Sequence, residues 1–285
     1  FLTSNGRTPI PLAVNSFPIL LNGKPIGTIK IFKDISLEYQ IDKMKSEFIS
    51  IASHQLRTPL TSITTNAHML AEGYVGQLSE EQQAFMDNIV FSSGRMQELI
   101  STLLNITRIE AGKIAVNPVP TDLYRLAEEI NSELKPRIAQ KKQKLGVKLM
   151  THKPIETDPL LLREVMANLL SNAVKYTPEG GKITVSLTEE PKHITYAVKD
   201  TGYGIPVSDQ RKIFTKFFRA PNIVSKESVG TGLGLYMVKG IAESLGAKLW
   251  FESKENEGTV FYFSLPKDGS PQKYGSSTLE TTTHS

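Results

Sequence analysis

The chain changes its hydrophobic period as it is read. Over residues 1–33 it reads as two strands, Ile10–Leu21 and Ile26–Phe32, flanking Asn22-Gly23, a dipeptide that suits a tight hairpin turn. Two strands bury no core of their own. From Ile35 the period lengthens from two to between three and four. Ile41, Met44, Phe48 and Ile51 mark one seam, and Ala52, Leu56, Leu60, Ile63, Ala67 and Leu70 continue it with a shift of phase. Gly73 and Gly76 break this helix, and a second periodic run follows through Phe85, Ile89, Met96, Leu99, Leu103 and Ile106. Two antiparallel helices with one apolar stripe each cannot hide that stripe alone. Pairing of two such hairpins into a four-helix bundle, a homodimer, is therefore expected.

Gly112 closes the hairpin, and Asn117-Pro118-Val119-Pro120 reads as a linker. Beyond it helical and strand patterns alternate. A helix is expected over Asp122–Lys142, kinked or interrupted by Pro136, and then a strand over Leu145–Leu149. The next helix covers Pro159–Tyr176, and strands follow at Ile183–Thr188 and Ile194–Lys199. A helix from Thr231 to Gly246 and strands at Lys248–Ser253 and Thr259–Leu265 complete the pattern. The fold class expected is α+β and multidomain: a helical hairpin, then a two-layer α/β sandwich with a mixed sheet. The boundaries read as 1–33, 34–114, 118–266 and a polar tail, 267–285, expected to be disordered.

Composition narrows the partners. A net charge of +4 over 285 residues gives no reason to expect nucleic acid. The basic stretch Lys135–Lys148 reads as the solvated face of a helix. With no cysteine, disulfides and thiolate metal sites are excluded, in keeping with a reducing cytoplasm. No run approaches the roughly 18–20 apolar residues of a membrane span. The sequence opens at Phe1 within strand-like residues, so the expectation is a cytoplasmic portion whose membrane anchor, if it has one, lies upstream.

Candidate chemistry lies in four short words. Asp200-Thr201-Gly202-Tyr203-Gly204 ends a strand with a carboxylate, and its glycines permit a sharp turn and close approach to a ligand. Gly230-Thr231-Gly232-Leu233-Gly234 leads into a helix whose free N–H groups favour phosphate; it has neither dinucleotide-fingerprint nor P-loop spacing. Asn168 and Asn172 share one helix face, with Lys175 and Tyr176 a turn on. Carboxamide oxygens suit Mg²⁺, and lysine suits phosphate. Fourth is Ser53-His54-Gln55-Leu56-Arg57-Thr58-Pro59-Leu60. His54 is rotated about 200° from Ala52 and points largely away from that part of the seam. Its neutral imidazole carries a lone pair able to attack phosphorus. The other four histidines, His68, His152, His193 and His284, lack metal-ligand spacing and read as structural or solvated.

In this order the four words resemble the catalytic core of a sensor histidine kinase, from about Asp34 to Pro266. The resemblance implies ATP and Mg²⁺ as cofactors and His54 as phosphoacceptor. Asp200 would read the adenine amino group and Asn172 would hold Mg²⁺, while Asn168, Lys175 and Tyr176 line the phosphate and sugar side. Gly202, Gly204, Gly230, Thr231, Gly232, Leu233 and Gly234 would complete the cradle. Ile205–Val229 is similar to the family's ATP lid, with Phe214, Phe217 and Phe218 as its core anchors. Gly258-Thr259-Val260-Phe261 matches a final family element, read as structural. The family hands the phosphoryl group to an aspartate of a response-regulator receiver domain, and Thr58 would orient water for the reverse, phosphatase, reaction. Residues 27–36 resemble the end of a PAS sensor domain. One position departs: the family most often has Glu or Asp directly after the histidine, where this chain has Gln55. Two other readings stay open, an ATP-driven clamp of the same ATPase superfamily and a nucleotide-gated scaffold or phosphatase-biased partner.

Overall fold

The computed structural model describes residues 10–112, 114–150, 153–224 and 230–273. The chain divides into two compact units, residues 1–52 and 53–285. The first holds β1 (Leu12–Leu21) and β2 (Lys24–Asp34), an antiparallel pair. Its turn residues Asn22 and Gly23 both take positive φ, 49° and 77°, as a two-residue turn between right-twisted strands requires. The Asp34 carboxylate then accepts the Ser36 N–H at 2.8 Å and starts α1 (Ser36–Ala71), which runs on unbroken past Pro59.

α2 (Glu80–Glu110) returns antiparallel after Gly73 and Gly76. A capping box opens it: the Ser79 hydroxyl accepts the Gln82 N–H at 3.3 Å, and the Gln82 side chain accepts the Ser79 N–H at 2.9 Å. The apolar seam turns out to be two stripes. Ser53, Leu60 and Ala67 of α1 are buried, and Leu60 packs with Ile100 and Leu104 of α2. Leu56 and Ile63, expected on the same seam, are 57% and 51% exposed, and on α2 Phe85 and Met96 are similarly exposed, with Ile89 and Leu99 less so at 38% each. A seam read as one stripe therefore serves two partners. Small and polar side chains such as Ser53 and Ser93 join Leu60, Ile100 and Leu104 in closing the hairpin, while Leu56, Ile63, Phe85 and Met96 stay outside it.

The remaining chain builds the two-layer sandwich. β3 (Val119–Thr121) pairs with β5 (Ile155–Thr157) in a small ladder that the sequence pattern does not signal, since both strands are only three residues long. α3 (Leu123–Gln140) is capped by Asp122 and passes through Pro136 without interruption, contrary to expectation. The missing N–H costs one bond in the last turn, and Leu134 and Ile138 stay buried on either side of it. β4 (Lys144–Leu149), β6 (Lys182–Glu189), β7 (His193–Asp200), β9 (Gly258–Pro266) and β8 (Lys248–Lys254) form one sheet in that order. Only the β4–β6 pair is parallel. α4 (Pro159–Tyr176) and α6 (Gly234–Leu245) join α3 on one face, with a short α5 (Pro221–Val224) in the loop before α6. Ile183, Val185, Tyr196, Val198, Phe261 and Phe263 meet Leu162, Val165, Leu169 and Ile241 in the core.

This domain is wider than the expected 118–266. Ile114 and Val116 are buried in its core, and Val116 forms a β-bridge with Lys273. The first residues of the tail expected to be disordered are thus structured: the Ser270 hydroxyl lies 2.8 Å from that of buried Thr157. A polar residue that satisfies a buried polar group orders its segment, whatever the local composition. Residues 274–285 of that tail lie outside the described residues.

Candidate active site

Asp200 ends β7, 6% exposed. Its Oδ1 accepts the backbone N–H of Gly202 at 2.8 Å and that of Thr259 at 3.2 Å. Burial pushes the carboxyl up to about 6, against the pull of those two donors. Two glycines make the turn possible. A Cβ on Gly202 would overlap the Tyr176 carbonyl oxygen, and Gly204, at φ 62°, runs against the backbone of Lys254. Thr259, in the word read as structural, is thus a direct support of the key carboxylate.

On α4 the Asn172 amide nitrogen donates to Asn168 Oδ1 at 2.9 Å. That fixes the amide orientation and leaves the Asn172 carbonyl oxygen without a protein donor among the described residues. An oxygen so placed fits a hard divalent cation. No group of three or more His, Cys, Asp or Glu among the described residues could do so. The Lys175 ammonium lies 5.1 Å from the Tyr176 ring centroid and against Gly230, where a Cβ would overlap it. The Arg219 guanidinium lies on the same glycine, its Nε 3.4 Å from the Cβ position. Gly230 therefore brings two cations to one spot. Arg219 escaped the sequence reading; a basic residue ending the aromatic word of the lid was the available signal. Behind them Lys141 Nζ donates to the Lys175 carbonyl at 2.7 Å, and Gln143 Nε2 donates to that of Thr177 at 2.6 Å, so both residues fasten the end of α4.

The second glycine word is close-packed. Gly234 lies against the Asn168 amide, and Gly232, at φ 69°, against the backbone of Phe217 and Phe218. The Thr231 hydroxyl accepts the Leu233 N–H at 3.1 Å, no side chain caps α6, and the helix begins at Gly234 rather than Thr231. The Leu233 side chain is buried, so it can meet a ligand only through its backbone. In the lid, Phe214 packs edge-on against Phe251 at 5.9 Å and Phe218 packs on the core, as expected of anchors. Phe217 does not: it is 67% exposed, at φ 60°, because the turn that meets Gly232 faces its ring outward. Lid residues 225–229 lie outside the described residues.

His54, Gln55 and Thr58 are exposed on α1, and the Thr58 hydroxyl reaches the His54 carbonyl at 3.5 Å. Gln97 on α2 reaches Thr64 on α1 across the hairpin at 3.5 Å. Equal steps along both helices from that bond set His54 level with Thr107, less than one turn before the end of α2. At that end the two-layer domain is docked. Glu110 accepts the Tyr236 hydroxyl at 2.9 Å and forms an ion pair with Lys216 of the lid, and Ile109 fits the notch left by Gly240 on α6. Burial first and the Glu110 carboxylate second push the Tyr236 phenol up to about 12, so it remains a donor at neutral pH. None of these contacts was legible in the sequence, because each joins residues that belong to no motif. Of the remaining histidines, His68 is exposed and His193 half-buried opposite Pro266. His152 and His284 lie outside the described residues.

A buried carboxylate at a strand end, an asparagine-bearing helix and a glycine-lined helix start come together in one two-layer domain, joined here to a helical hairpin with an exposed histidine. Comparison with known proteins specifies the class further. Residues 157–269 match the family described as "Histidine kinase-, DNA gyrase B-, and HSP90-like ATPase", and residues 44–112 match the "His Kinase A (phospho-acceptor) domain". The circadian input-output histidine kinase CikA of Synechococcus elongatus is 33% identical over 243 residues, 84% of this chain and 32% of its own length. Sensor histidine kinase WalK of Bacillus subtilis is 31% identical over 252 residues, 86% of this chain and 40% of its own. A crystal structure of full-length ShkA in complex with AMPPNP shares the fold, with a TM-score of 0.67 over 80% of this chain and 47% of that one at 24% identity. The chain thus carries, in this order, regions that match the phospho-acceptor and ATPase domains found in histidine kinases. It spans only about a third of the length of CikA and two fifths of that of WalK.

Proposed function

We propose that this chain autophosphorylates His54 from ATP and then passes the phosphoryl group to an aspartate of a response-regulator receiver domain. The observation that carries the reading is the docking of the nucleotide-type domain, through Ile109 and Glu110, at the level of α2 where His54 lies on α1. Asp200 accepts the adenine amino group. Gly230 and Gly232 give the phosphates close access to the backbone, Lys175 and Arg219 neutralise them, and the uncapped start of α6 adds N–H donors. Asn172 would hold Mg²⁺, which would supply positive charge to offset that of the phosphate oxygens. A His54 ring nitrogen attacks the γ-phosphorus in line. The N–P bond forms, the bond to the bridging oxygen breaks, and ADP leaves. Exposure of the ring leaves the histidine open to the nucleotide and later to the receiver. Thr58 orients water for a phosphatase reaction at the same place. The hairpin of β1 and β2 is the end of a PAS-like sensor module leading into α1, and a second copy of the chain completes a four-helix bundle.

Incubation with γ-labelled ATP tests the reading. Acid-labile label on the protein, lost in His54→Ala while ATP binding persists, is the expected result. Release of free phosphate with no protein label would make the chain a clamp-type ATPase, and label retained by His54→Ala would move the acceptor elsewhere.

A further inference from the structure

Among the described residues, α3, α4 and α6 pack on one face of the five-stranded sheet and no helix packs on the other. Side chains alternate across a sheet, and the core takes Ile183, Val185 and Leu187 of β6, Ile194, Tyr196 and Val198 of β7, and Phe261, Phe263 and Leu265 of β9. Their neighbours must face the other way. Register gives the layout of that face. One row crosses all five strands as Lys148, Ser186, Ala197, Tyr262 and Trp250. A second row beside it runs Gly146, Thr184, Lys199, Val260 and Glu252. Lys248 stands opposite Ser264, and Lys144 opposite Lys182.

Charge on this face is one-sided. Lys144, Lys148, Lys182, Lys199 and Lys248 are all exposed, and none forms an ion pair among the described residues. The single acid of these rows, Glu252, is engaged by the Tyr262 hydroxyl. Elsewhere on the sheet Lys254 and Lys267 do have partners, Glu257 and Glu189. Between the lysines the floor is made of small side chains: Thr195, Ala197 and Ser264 are buried although no helix lies over them. Beside the floor stand Trp250 and Tyr262, stacked at 5.0 Å with an interplanar angle of 11°. Trp250 is 40% exposed.

We infer that this open face is a docking surface for an acidic protein surface, with Trp250 and Tyr262 as its anchor and the five lysines as its steering rim. Lys144 and Lys182 stand opposite each other on adjacent strands and repel one another, and the positive field of all five lysines across the face is relieved by a partner of opposite sign. Trp and Tyr are enriched at the energetic centres of protein interfaces, and polar residues form their rims. The geometry disfavours the two other polyanions. Bases stack on exposed ring faces, but here each ring lends one face to the other. An anionic bilayer would hold an element able to bury a continuous apolar face, and around Trp250 this face carries Tyr262 and Val260 but also Lys248, Glu252 and Ser264, so its apolar part is interrupted.

Trp250 is the sole tryptophan of the chain, so its emission reports on this face alone. The whole chain is titrated with a Glu/Asp-rich peptide, with oligo-dT and with phosphatidylserine-containing vesicles. The peptide should shift Trp250 emission saturably, and added salt should weaken it. The double variant Lys148→Glu/Lys248→Glu should bind it about tenfold or more weakly. Both lysines are exposed, so the variant should keep the parent's thermal midpoint and its phosphorylation of His54. Emission unmoved by the peptide, tighter binding of oligo-dT or of vesicles, or equal peptide binding by the double variant would each overturn the assignment.

Discussion

At the scale of single residues, two substitutions separate the parts of the proposed chemistry. When His54 attacks phosphorus, positive charge develops on the imidazole and the proton on its other nitrogen becomes acidic. Gln55 is neutral at physiological pH: its carbonyl can orient the ring but cannot take the proton. General-base help is typically worth about 10²–10⁴-fold, so Gln55→Glu should raise the single-turnover rate at saturating ATP and leave ATP affinity unchanged; a rate at or below the parent's would refute this. Asp200 bears on the nucleotide instead. Its carboxyl is pushed up to about 6 by burial, so the folded state takes up this proton on acidification before the unfolded chain does. Stability from this group is therefore gained as pH falls through about 6 and lost as pH rises through it. Nucleotide binding runs the other way, because only the carboxylate accepts from the adenine amino group. ATP affinity should fall below about pH 6, and Asp200→Asn should bind weakly with no such inflection; a parent affinity that stays flat through that pH would contradict the assignment. GTP would leave a buried acceptor unpaired, at about 1–3 kcal/mol, or roughly tenfold or more in affinity. Asp200 and His54 could be read from the sequence because each lies within a word. Thr259 also lies within a word and Arg219 ends one, yet their roles could not be read, since these lie in what the two residues touch: the Asp200 carboxylate in one case and Gly230 in the other.

At the scale of elements, helices and strands were legible wherever the chain states its own boundaries. Asn22-Gly23, the Asp158 cap before Pro159 and Gly246 in the left-handed region at the end of α6 mark the limits of β1, α4 and α6. The short β3–β5 ladder, the persistence of α3 through Pro136 and the outward turn at Phe217 were not legible, because tertiary contacts decide each of them. The same holds for the meeting of α2 and α6. A Cβ on Gly240 would overlap Ile109 Cγ2 and lie 3.2 Å from its Cδ1. Alanine for glycine inside a helix is ordinarily worth up to about 1 kcal/mol of stability, whereas overpacking costs about 1–3 kcal/mol. Gly240→Ala should thus destabilise the native chain slightly, yet stabilise it in an Ile109→Ala background where the clash is gone. Urea unfolding of the four proteins measures the coupling, expected at about 0.5–3 kcal/mol. Additive effects would mean that Ile109 does not occupy the notch.

For the whole molecule the open question is what covers the second stripe of the hairpin. Leu60, Ile100 and Leu104 already satisfy the contact between α1 and α2. Phe48, Ile51, Leu56, Ile63, Phe85 and Met96 are each at least half exposed, and a row of large apolar side chains of that length is rarely left in water. Full burial of each is worth about 1.5–3 kcal/mol relative to exposure, so it takes the set from both chains together, rather than one or two side chains, to offset the entropy of joining two chains, put at about 4–15 kcal/mol. A fragment of residues 35–112 should therefore be a dimer by light scattering, and Ile63→Glu with Leu56→Glu should make it monomeric. The nucleotide-type domain should be monomeric when expressed alone. Its boundaries for that experiment follow the packing rather than the motif words: Ile114 and Val116 lie in its core and Lys273 bridges to Val116, so a piece cut at 118–266 would lose both flanking contacts. The 114–273 piece should melt cooperatively at a higher temperature than 118–266 and still bind ATP. A 35–112 fragment that stays monomeric at micromolar concentration would exclude the bundle and leave the exposed stripe for a different partner.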